Sequence, residues 1–426
     1  MFTSRLPAKP PLWAVASKIL KTSDYFNRPV YLCTNLLQER LIHRTHQKID
    51  HMKKAGILGG GQLGRMLLQA AANYPVETYV MENERQCPAA HLCHHFITGD
   101  IRNYDDVYRF GKMVDVLTIE IEQVNTDALQ QLKREGLRII PDPDCLEIIA
   151  NKIKQKEFLK ELKIPTAPFV VTQNLDGLYE HADMLPAVHK LAVGGYDGKG
   201  VVVIHHSDQL HQGFNAPSVL EQKVQIEKEL ALMVAVDQEG QTTVYPLVEM
   251  VFDQRLNLLS HQISPANVHP TTEWKAEAIA IACVKALNSP GVFAVEMFED
   301  AAGQVLVNEI APRVHNSGHH TIEGNYSSQF DMLCRILLGY PLGNTEPILP
   351  AALVNLVGAD QHSGEPVYDG LGEVLKMENV FVHIYGKFQT RPGRKMGHVT
   401  VISSEPQELL HKVMQIQKVL SVKSAV

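Results

Sequence analysis

The chain has 426 residues and a formal net charge of -7, with 45% hydrophobic and 20% charged residues. This composition is typical of a soluble globular enzyme of about three domains, and it argues against nucleic acid as the main partner, because phosphate backbones bind basic surfaces. No apolar run is long enough to span a membrane. Six scattered cysteines without a C-x-x-C pair favour a reducing, cytoplasmic location over a disulfide framework.

Residues 1–51 differ from the rest of the chain, since they hold eight basic and three acidic residues. Such a stretch is compatible with a transit peptide. However, Met52 is followed by two lysines and a first apolar strand, which is a natural beginning for a folded domain. We therefore predict that residues 1–51 form an unstructured extension, with the targeting segment as the alternative.

Residues 52–146 alternate short apolar strands with helical stretches, a pattern that predicts a doubly wound parallel sheet. The first turn of this region reads G-x-G-x-x-G over Gly59, Gly61 and Gly64, and Glu82 follows 18 residues later. By itself this pattern indicates a dinucleotide site with the acid on a ribose hydroxyl. A lone fingerprint is a weak signal, so an NAD site remains one interpretation among others.

Residues 147–345 are predicted to form a strand-rich central domain after the chain break at "PDPDC". The segment 146–162 reads as one helix, the segment 272–289 as a second, and the strands 291–300 and 303–313 as a hairpin. Residues 346–426 predict a smaller, β-rich unit around "VFVHIYGK" and "GHVTVIS".

A glycine loop follows a lysine in "HKLAVGGYDGKGVVV", residues 189–203. Glycines allow backbone N–H groups to close over phosphate oxygens, and Lys190 and Lys199 add positive charge. An Asp-Gly pair also occurs in simple hairpin turns, but four glycines and two lysines together favour a phosphate loop. It is not a Walker A loop, because no G-K-[ST] opens a helix here.

Two acidic residues stand inside apolar strands: Glu296 in "AVEMF" and Glu309 in "LVNEI", next to Asn308. Burying two carboxylates without a cation is very costly, and an all-oxygen set of ligands suits Mg²⁺ that bridges nucleotide phosphates. The polar run that follows, with Arg313 and His315, could hold a small anion. The alternative is an exposed hairpin, which the apolar neighbours argue against.

The turn "YGKFQTRPGRKMGHV" carries Lys387, Arg391, Arg394 and Lys395 in a chain that is otherwise acidic. A run of charge is usually a solvated face. Because this run occupies a Pro-Gly turn between two strands, a phosphate-binding clamp is at least as good an interpretation.

Four motifs in this order, "GGGQLGRM", "GGYDGKG", "NEIAPRVHNSGH" and "RPGRKMGH", closely resemble those of the 5-(carboxyamino)imidazole ribonucleotide synthase family in the ATP-grasp superfamily. The resemblance runs from about Met52 to the C-terminal region. It implies an α/β chain with the ATP-grasp fold, an N-terminal doubly wound parallel-sheet (pre-ATP-grasp) domain and a small C-terminal β-rich domain. It also implies a homodimer that uses ATP, Mg²⁺ and bicarbonate to carboxylate 5-aminoimidazole ribonucleotide through carboxyphosphate, in purine biosynthesis.

The resemblance also implies the residues of each site. The ribonucleotide would contact Gln62, Leu63 and Glu122, so that the first glycine turn faces this substrate and not NAD. Its 5′-phosphate would lie on Lys387, Arg394 and Lys395, and Mg²⁺ on Glu296 and Glu309. The residues implied in catalysis are Asp197, Arg313, His315 and Asn316. Those implied at the ATP site are Lys152, Lys190, Gly195, Tyr196, Asp197, Gly198, Lys199, Gly200, Val201, Glu221, Gln222, Lys223, Val224, Glu229, Asn308 and Glu309.

Two positions depart from the family pattern. Where the family has E-N-x-H, this chain has Met250 and Phe252 in place of the Asn and His, and Phe252 cannot form a hydrogen bond. His189 replaces a residue that is typically apolar. We expect both changes to be tolerated, because the other motifs are complete. The alternatives are a formate-dependent glycinamide ribonucleotide transformylase and a nucleotide-binding relative without turnover.

Overall fold

The computed structural model describes residues 52–195, 200–253 and 258–425. The predicted N-terminal extension, residues 1–51, lies outside the described residues, as does the tip of the glycine loop with Tyr196, Asp197, Gly198 and Lys199. Within the described ranges, none of the helices combines the length and the apolar character needed to cross a membrane.

The first sheet contains five parallel strands in the order β3-β2-β1-β4-β5, which confirms the predicted doubly wound arrangement. The strand order reverses between β1 and β4, and ligands bind at such a switch point in open α/β sheets. Its strands are β1 (Lys53–Leu58), β2 (Val76–Glu82), β3 (His95–Thr98), β4 (Val116–Ile119) and β5 (Arg138–Ile140). Its helices are α1 (Gln62–Ala71), α2 (Tyr104–Gly111) and α3 (Thr126–Arg134).

The segment 146–162, predicted as one helix, contains parts of two helices, α4 (Pro143–Ile149) and α5 (Lys152–Glu161). The break occurs at Asn151, which has an extended backbone and accepts hydrogen bonds from the N–H groups of Ile153 and Lys154. Asparagine is a strong N-cap, so it begins a new helix inside a continuous apolar pattern. The prediction of a single helix was therefore wrong, and the break places Lys152 at the first position of α5.

A four-stranded antiparallel sheet of order β6-β9-β7-β8 carries the glycine loop between β7 and β8. Its strands are β6 (Phe169–Thr172), β7 (Ala187–Leu191), β8 (Val201–Ile204) and β9 (Ser218–Gln222), with helix α6 (Leu175–Tyr179) and 3₁₀ turns at Ala182–Met184 and Ser207–Gln212.

The largest sheet has the order β15-β14-β10-β12-β13-β16-β19-β18, and β11 pairs with β10. The predicted hairpin is confirmed as β14 and β15. The C-terminal strands β16, β19 and β18 extend the central sheet through the β13–β16 pair. The strands are β10 (Ile226–Val236), β11 (Thr242–Val244), β12 (Val248–Asp253), β13 (Leu258–Ser264), β14 (Gly291–Asp300), β15 (Val305–Ala311), β16 (Ala351–Val357), β18 (Val380–Ile384) and β19 (Lys395–Ile402), with β17 (Pro366–Asp369) and β20 (Ser421–Ser424) as a separate pair.

The remaining helices cover this sheet or lead back to it, and the predicted helix at 272–289 is confirmed. They are α7 (Pro270–Ala286), α8 (Thr321–Gly324), α9 (Gln329–Leu338), α10 (Leu371–Val374) and α11 (Pro406–Val419), with a 3₁₀ turn at Asn316–Gly318.

The C-terminal end of α9 is tied to the first sheet by side chains. The last carbonyls of the helix, at residues 336, 337 and 338, accept hydrogen bonds from Gln238, Arg138 and Lys53 at 3.0, 2.6 and 2.7 Å. Positively charged groups at the C-terminal end of a helix also interact favourably with the helix dipole. Gly339 then ends the helix in the left-handed conformation at φ 77°.

Candidate active site

The two acidic residues predicted at the metal site lie directly opposite each other on β14 and β15. The register shifts immediately after this pair, because Met297 is opposite Val307 and Asn308 is the extra residue of a bulge. A bulge redirects side chains that would otherwise alternate between the two faces. Here Asn308 Oδ1 accepts from Lys190 Nζ at 2.9 Å, and Glu309 Oε2 accepts from Lys152 Nζ at 2.6 Å.

The carboxyl groups of this site have strongly shifted pKa values. The charge of Lys152 lowers the pKa of Glu309 to about 2. Burial, followed by the negative charge of Glu309, raises the pKa of Glu296 to about 8. On the neighbouring strand β10, burial raises the pKa of Glu229 to about 7. A bound cation would relieve the repulsion between Glu296 and Glu309, so this pair is a candidate site for a positive ion.

The pair fits Mg²⁺. Among the described residues no set of three or more His, Cys, Asp or Glu side chains is arranged to hold a metal. Mg²⁺ is commonly held by one or two carboxylates, with phosphate and water oxygens as its other ligands. Glu296 and Glu309 supply two such carboxylates, beside the lysines that would meet the same phosphates.

A second ionic group involves Lys190, one of the lysines predicted at the ATP site. The carboxylate of Glu221 on β9 is 3.1 Å from both Lys156 Nζ and Lys190 Nζ, and its side chain is 4% exposed. Burial lowers the pKa of Lys156 to about 8. Lys156 was not predicted, although its position four residues after Lys152 on one helix face was a signal. Lys190 Nζ therefore has two partners, the carboxylate of Glu221 and the amide oxygen of Asn308, which together fix its position.

Three of the four predicted ATP-site residues in segment 221–224 line a cleft, whereas Glu221 pairs with lysines instead. Gln222, Lys223 and Val224 border a cavity of about 300 Å³, together with Pro168, Gln225, Asp300, Ala301, Ala302 and Leu306. The mixture of apolar side chains and backbone groups suits a flat heterocycle. Residues 222–224 therefore lie at the opening of this cleft.

The described ends of the glycine loop lie close together. Gly200 has φ 74°, and a Cβ built on it would lie 3.1 Å from the Cα of Gly195. The backbone N–H of Lys152 donates to the carbonyl of Ala192 at 2.8 Å, which ties the start of α5 to the base of the loop. Gly195, Gly200 and Val201 therefore lie at the base of the loop, near Lys152.

The three predicted residues after β15 have different surroundings, and only His315 is paired with the acidic site. Arg313 Nε is 2.9 Å from Glu122 Oε1, and His315 Nε2 is 3.6 Å from Glu296 Oε1. Asn316 is 6% exposed, and both polar atoms of its amide lack a hydrogen-bond partner among the described residues. An unpaired buried amide is costly, which is consistent with a site that a ligand completes.

The glycine turn of the first sheet is occupied by side chains of this chain. Glu120 accepts hydrogen bonds from the N–H groups of Gly61 and of Leu63, the latter at 2.9 Å. Glu82 accepts from Gly60 N at 3.1 Å. In a dinucleotide site such N–H groups hold the pyrophosphate. Here they are already bound to two carboxylates, which argues against an NAD site. Glu120 was not predicted, although it follows β4 directly, at the end of a parallel strand where ligands bind.

The carboxylate of Glu120 also explains why this turn contains glycines. A Cβ on Gly59, which has φ 107°, would lie 2.9 Å from both Cβ and Oε2 of Glu120. Glu120 is 6% exposed, and burial raises its pKa. The glycines therefore make room for an internal acid, which holds the backbone N–H groups on either side of Gln62, those of Gly61 and Leu63.

The basic turn lies beside helix α1. Arg65 Nη1 is 3.7 Å from the Cβ position of Gly386, next to Lys387. Lys387 Nζ donates to the carbonyl of Lys395 at 2.6 Å, and Arg394 Nη1 donates to that of Gln389 at 2.8 Å. The turn is thus held by its own backbone close to the helix that begins with Gln62.

The two departures from the family pattern are packed as core residues. Met250 is 5% exposed and belongs to an apolar cluster with Ala231, Val248 and Leu259, against which Phe252 packs.

His189 is fully buried, and its Nε2 lies 2.9 Å from Thr172 Oγ1 while its Nδ1 accepts from Phe214 N at 3.2 Å. It is therefore a core histidine with both nitrogens partnered.

Three family models match successive parts of the chain. Residues 52–150 match the ribonucleotide synthetase preATP-grasp domain, residues 157–330 the ATP-grasp domain, and residues 351–412 the phosphoribosylaminoimidazole carboxylase C-terminal domain.

Named relatives cover most of the chain. The N5-carboxyaminoimidazole ribonucleotide synthase of Brucella melitensis is 36% identical over 82% of this chain and 95% of its own length. The chloroplastic phosphoribosylaminoimidazole carboxylase of Vigna aconitifolia is 35% identical over 82% of this chain, which spans 64% of that longer protein.

Solved structures agree with the fold. The N5-carboxyaminoimidazole ribonucleotide synthetase of Thermotoga maritima is 38% identical, with a TM-score of 0.81 over 88% of this chain and 100% of that chain. The Aspergillus clavatus synthase in complex with ADP and 5-aminoimidazole ribonucleotide is 30% identical, with a TM-score of 0.78 over 86% and 98%.

Proposed function

Because the chain belongs to the N5-carboxyaminoimidazole ribonucleotide synthase family of ATP-grasp proteins, we propose that it carboxylates 5-aminoimidazole ribonucleotide with ATP and bicarbonate. The product is 5-carboxyaminoimidazole ribonucleotide, an intermediate of purine biosynthesis. The observation that carries the proposal is the acidic pair Glu296 and Glu309 between two phosphate-binding lysines and the His315–Asn316 turn. A carboxylase that consumes ATP needs these elements within one cleft.

The nucleotide end binds ATP. Lys152 and Lys190 contact its phosphates, exchanging the carboxylate and amide contacts that they now make for phosphate oxygens. Gln222, Lys223 and Val224 border the adenine, and the half-buried Glu229 accepts hydrogen bonds from the ribose hydroxyls. Glu296 and Glu309 would hold Mg²⁺, which when bound neutralises phosphate charge as the γ-phosphoryl group is transferred.

The transfer proceeds in two steps. A bicarbonate oxygen attacks the γ-phosphorus, the bond to the β-phosphate oxygen breaks, and carboxyphosphate and ADP form. The exocyclic amine then attacks the carboxyl carbon, either of carboxyphosphate or of CO₂ released in place; phosphate leaves and the amine loses a proton. Arg313, His315 and Asn316 orient the bicarbonate, and Asp197 and Tyr196 act near the amine. Closure of the glycine loop over the nucleotide excludes water from an intermediate that hydrolyses readily.

The ribonucleotide end lies between the first sheet and the basic turn. Gln62, Leu63 and Glu122 contact the substrate, and the cationic side chains of Lys387, Arg394 and Lys395 hold its 5′-phosphate. We place the domain limits at residues 52–146, 147–345 and 346–426, so that each unit contributes one part of the site.

A cytoplasmic homodimer is the assembly that we propose. The five described cysteines are all free thiols, which is consistent with a reducing compartment. Size-exclusion chromatography with light scattering would test the dimer.

The experiment that tests the function is phosphate release by the purified protein with MgATP and bicarbonate, with and without 5-aminoimidazole ribonucleotide. Release that depends on this ribonucleotide supports the carboxylase. Release only with glycinamide ribonucleotide and formate would move the protein to the transformylases. Nucleotide binding without turnover in either assay would mean that Phe252 and Met250 mark a non-catalytic relative.

A further inference from the structure

The turn that carries His315 and Asn316 is held by two buried glutamines from separate parts of the chain. Gln329 is the first residue of α9, and Gln262 lies on β13. Both are 0% exposed, so neither can touch a substrate. Their amides instead bind the backbone of the turn itself.

Gln329 grips His315 at both backbone groups. Its Oε1 accepts from His315 N at 2.8 Å, and its Nε2 donates to His315 O at 2.8 Å. Because the oxygen must face the N–H group, the orientation of the amide is fixed. Nε2 then also donates to His319 Nδ1 at 3.0 Å, which places the proton of neutral His319 on Nε2.

Gln262 makes a parallel set of contacts on the far side of the turn. Its Nε2 donates to Ser317 O at 2.8 Å and lies 3.0 Å from His320 Nδ1. Thr321 connects the two ends, since its Oγ1 donates to Gly318 O at 2.5 Å and accepts from Gln329 N at 2.9 Å. Backbone groups at residues 315, 317 and 318 are therefore fixed by buried side chains.

Gln329 and Gln262 together form a clamp on this turn, and the turn carries side chains that would face a ligand in the proposed site. Asn316 lies between the two gripped residues, and its own amide has no partner among the described residues. His315 directs Nε2 toward Glu296 at 3.6 Å. The side chains that would contact a ligand therefore lie on a turn whose backbone is held by other residues, Gln329 and Gln262.

We propose that Gln329 and Gln262 are positioning residues that fix His315 and Asn316 for the carboxylation step. This inference rests on the proposed function. The clamp acts on the turn and not on the nucleotide, whose lysines are held by Glu309, Asn308 and Glu221. Loss of the clamp should therefore lower kcat and leave nucleotide binding intact.

The test compares Gln329→Glu and Gln262→Glu with Asn325→Asp. Asn325 is a buried amide that donates to Thr345 O at 2.8 Å, away from the turn, so the control makes the same chemical change. In each glutamine variant the carboxylate cannot donate to a carbonyl. We expect kcat to fall about 10- to 100-fold, since a misplacement of 1 Å can cost that much, with the KM for ATP and the affinity for MgADP within about twofold.

Two outcomes would overturn the proposal: a fall in kcat no larger than that of Asn325→Asp, or an equal rise in the KM for ATP. If the wild-type protein shows no turnover, the proposed function fails, and the clamp is judged separately. Spectra of ¹⁵N-histidine-labelled protein should then show His315 and His319 signals that shift in Gln329→Glu and stay unchanged in Asn325→Asp. Unchanged signals in Gln329→Glu would refute the clamp regardless of activity.

Discussion

Glu296 and Glu309 are cross-strand neighbours whose pKa values have moved in opposite directions, that of Glu309 down toward 2 and that of Glu296 up toward 8. Lys152 accounts for the first shift, since it donates to Glu309 at 2.6 Å. Burial and the charge of Glu309 account for the second. Because each negative charge opposes the other, a bound divalent ion would allow both carboxyl groups to be charged, so we expect the pair to bind one.

Replacing Glu309 with glutamine should abolish most of the activity. The change removes the negative charge and one of the two oxygens of a proposed Mg²⁺ ligand, and it leaves Lys152 without its carboxylate. We therefore expect the rate of ADP formation to fall at least about 100-fold. A titration of Mg²⁺ against the initial rate measures it. Glu299→Gln, on the same hairpin and hydrogen-bonded to Thr272, is the control. A Glu309→Gln enzyme with a normal rate at the same Mg²⁺ concentration would contradict the assignment.

Lys387→Met should weaken binding of the ribonucleotide selectively. A hydrogen bond from a charged group contributes about 1.5–3 kcal/mol, which corresponds to a rise of roughly 10- to 100-fold in the KM for 5-aminoimidazole ribonucleotide. The KM for ATP should not change. Lys376→Met removes an exposed lysine from the same region and should leave both constants unchanged. If the KM for ATP rose instead, the basic turn would belong to the nucleotide site.

Glu120→Ala should destabilise the fold as well as the substrate site. The backbone N–H groups of Gly61 and Leu63 lose their acceptor, and a cavity replaces a buried side chain. We expect the free energy of unfolding to fall by about 2–4 kcal/mol, measured by urea denaturation. Glu239→Ala, at an exposed site, should change the free energy of unfolding by less than about 0.5 kcal/mol. An equally small effect at Glu120 would mean that its carboxylate does not support the turn.

His189 should make the protein less stable in mild acid. Burial lowers the pKa of His189 to about 4, whereas an unfolded histidine titrates near 6.5. The unfolded state therefore binds more protons between these values, so stability that is present above about pH 6.5 is lost as the pH falls toward 4. Between pH 7 and 5 the loss from this residue is about 2 kcal/mol.

The measurement is urea denaturation at pH 7 and pH 5. His189→Gln can accept from Phe214 N and donate to Thr172 without titrating, so the difference between the two pH values should shrink by about 2 kcal/mol. His205→Gln, at an exposed site, should leave the difference as it is in the wild-type protein. If the difference between pH 7 and pH 5 were unchanged in His189→Gln, the pKa of His189 would not be lowered in the folded protein.

The sequence predicted the elements that depend on local patterns. The five parallel strands and the hairpin with Glu296 and Glu309 follow from apolar runs and turn residues, and the structure has both. The features that were missed depend on contacts between distant residues. Glu120 contacts Leu63 across 57 positions, and Gln262 contacts Ser317 across 55. Such partners cannot be read from the local sequence, even where a neighbour such as Glu122 was predicted. Asn151 was missed for a different reason, because one capping side chain interrupts a pattern that remains periodic on both sides.

Helix α9 begins at the glutamine that grips His315 and ends where Lys53 and Arg138 of the first sheet hold its last carbonyls. Its ten residues form a rod about 15 Å long. Because both ends are held, a shift of the first sheet on binding of the ribonucleotide at its proposed site would also move the turn of His315 and Asn316. Binding of the ribonucleotide would then change the position of the residues that we propose to orient bicarbonate, so the two substrates would be aligned with each other.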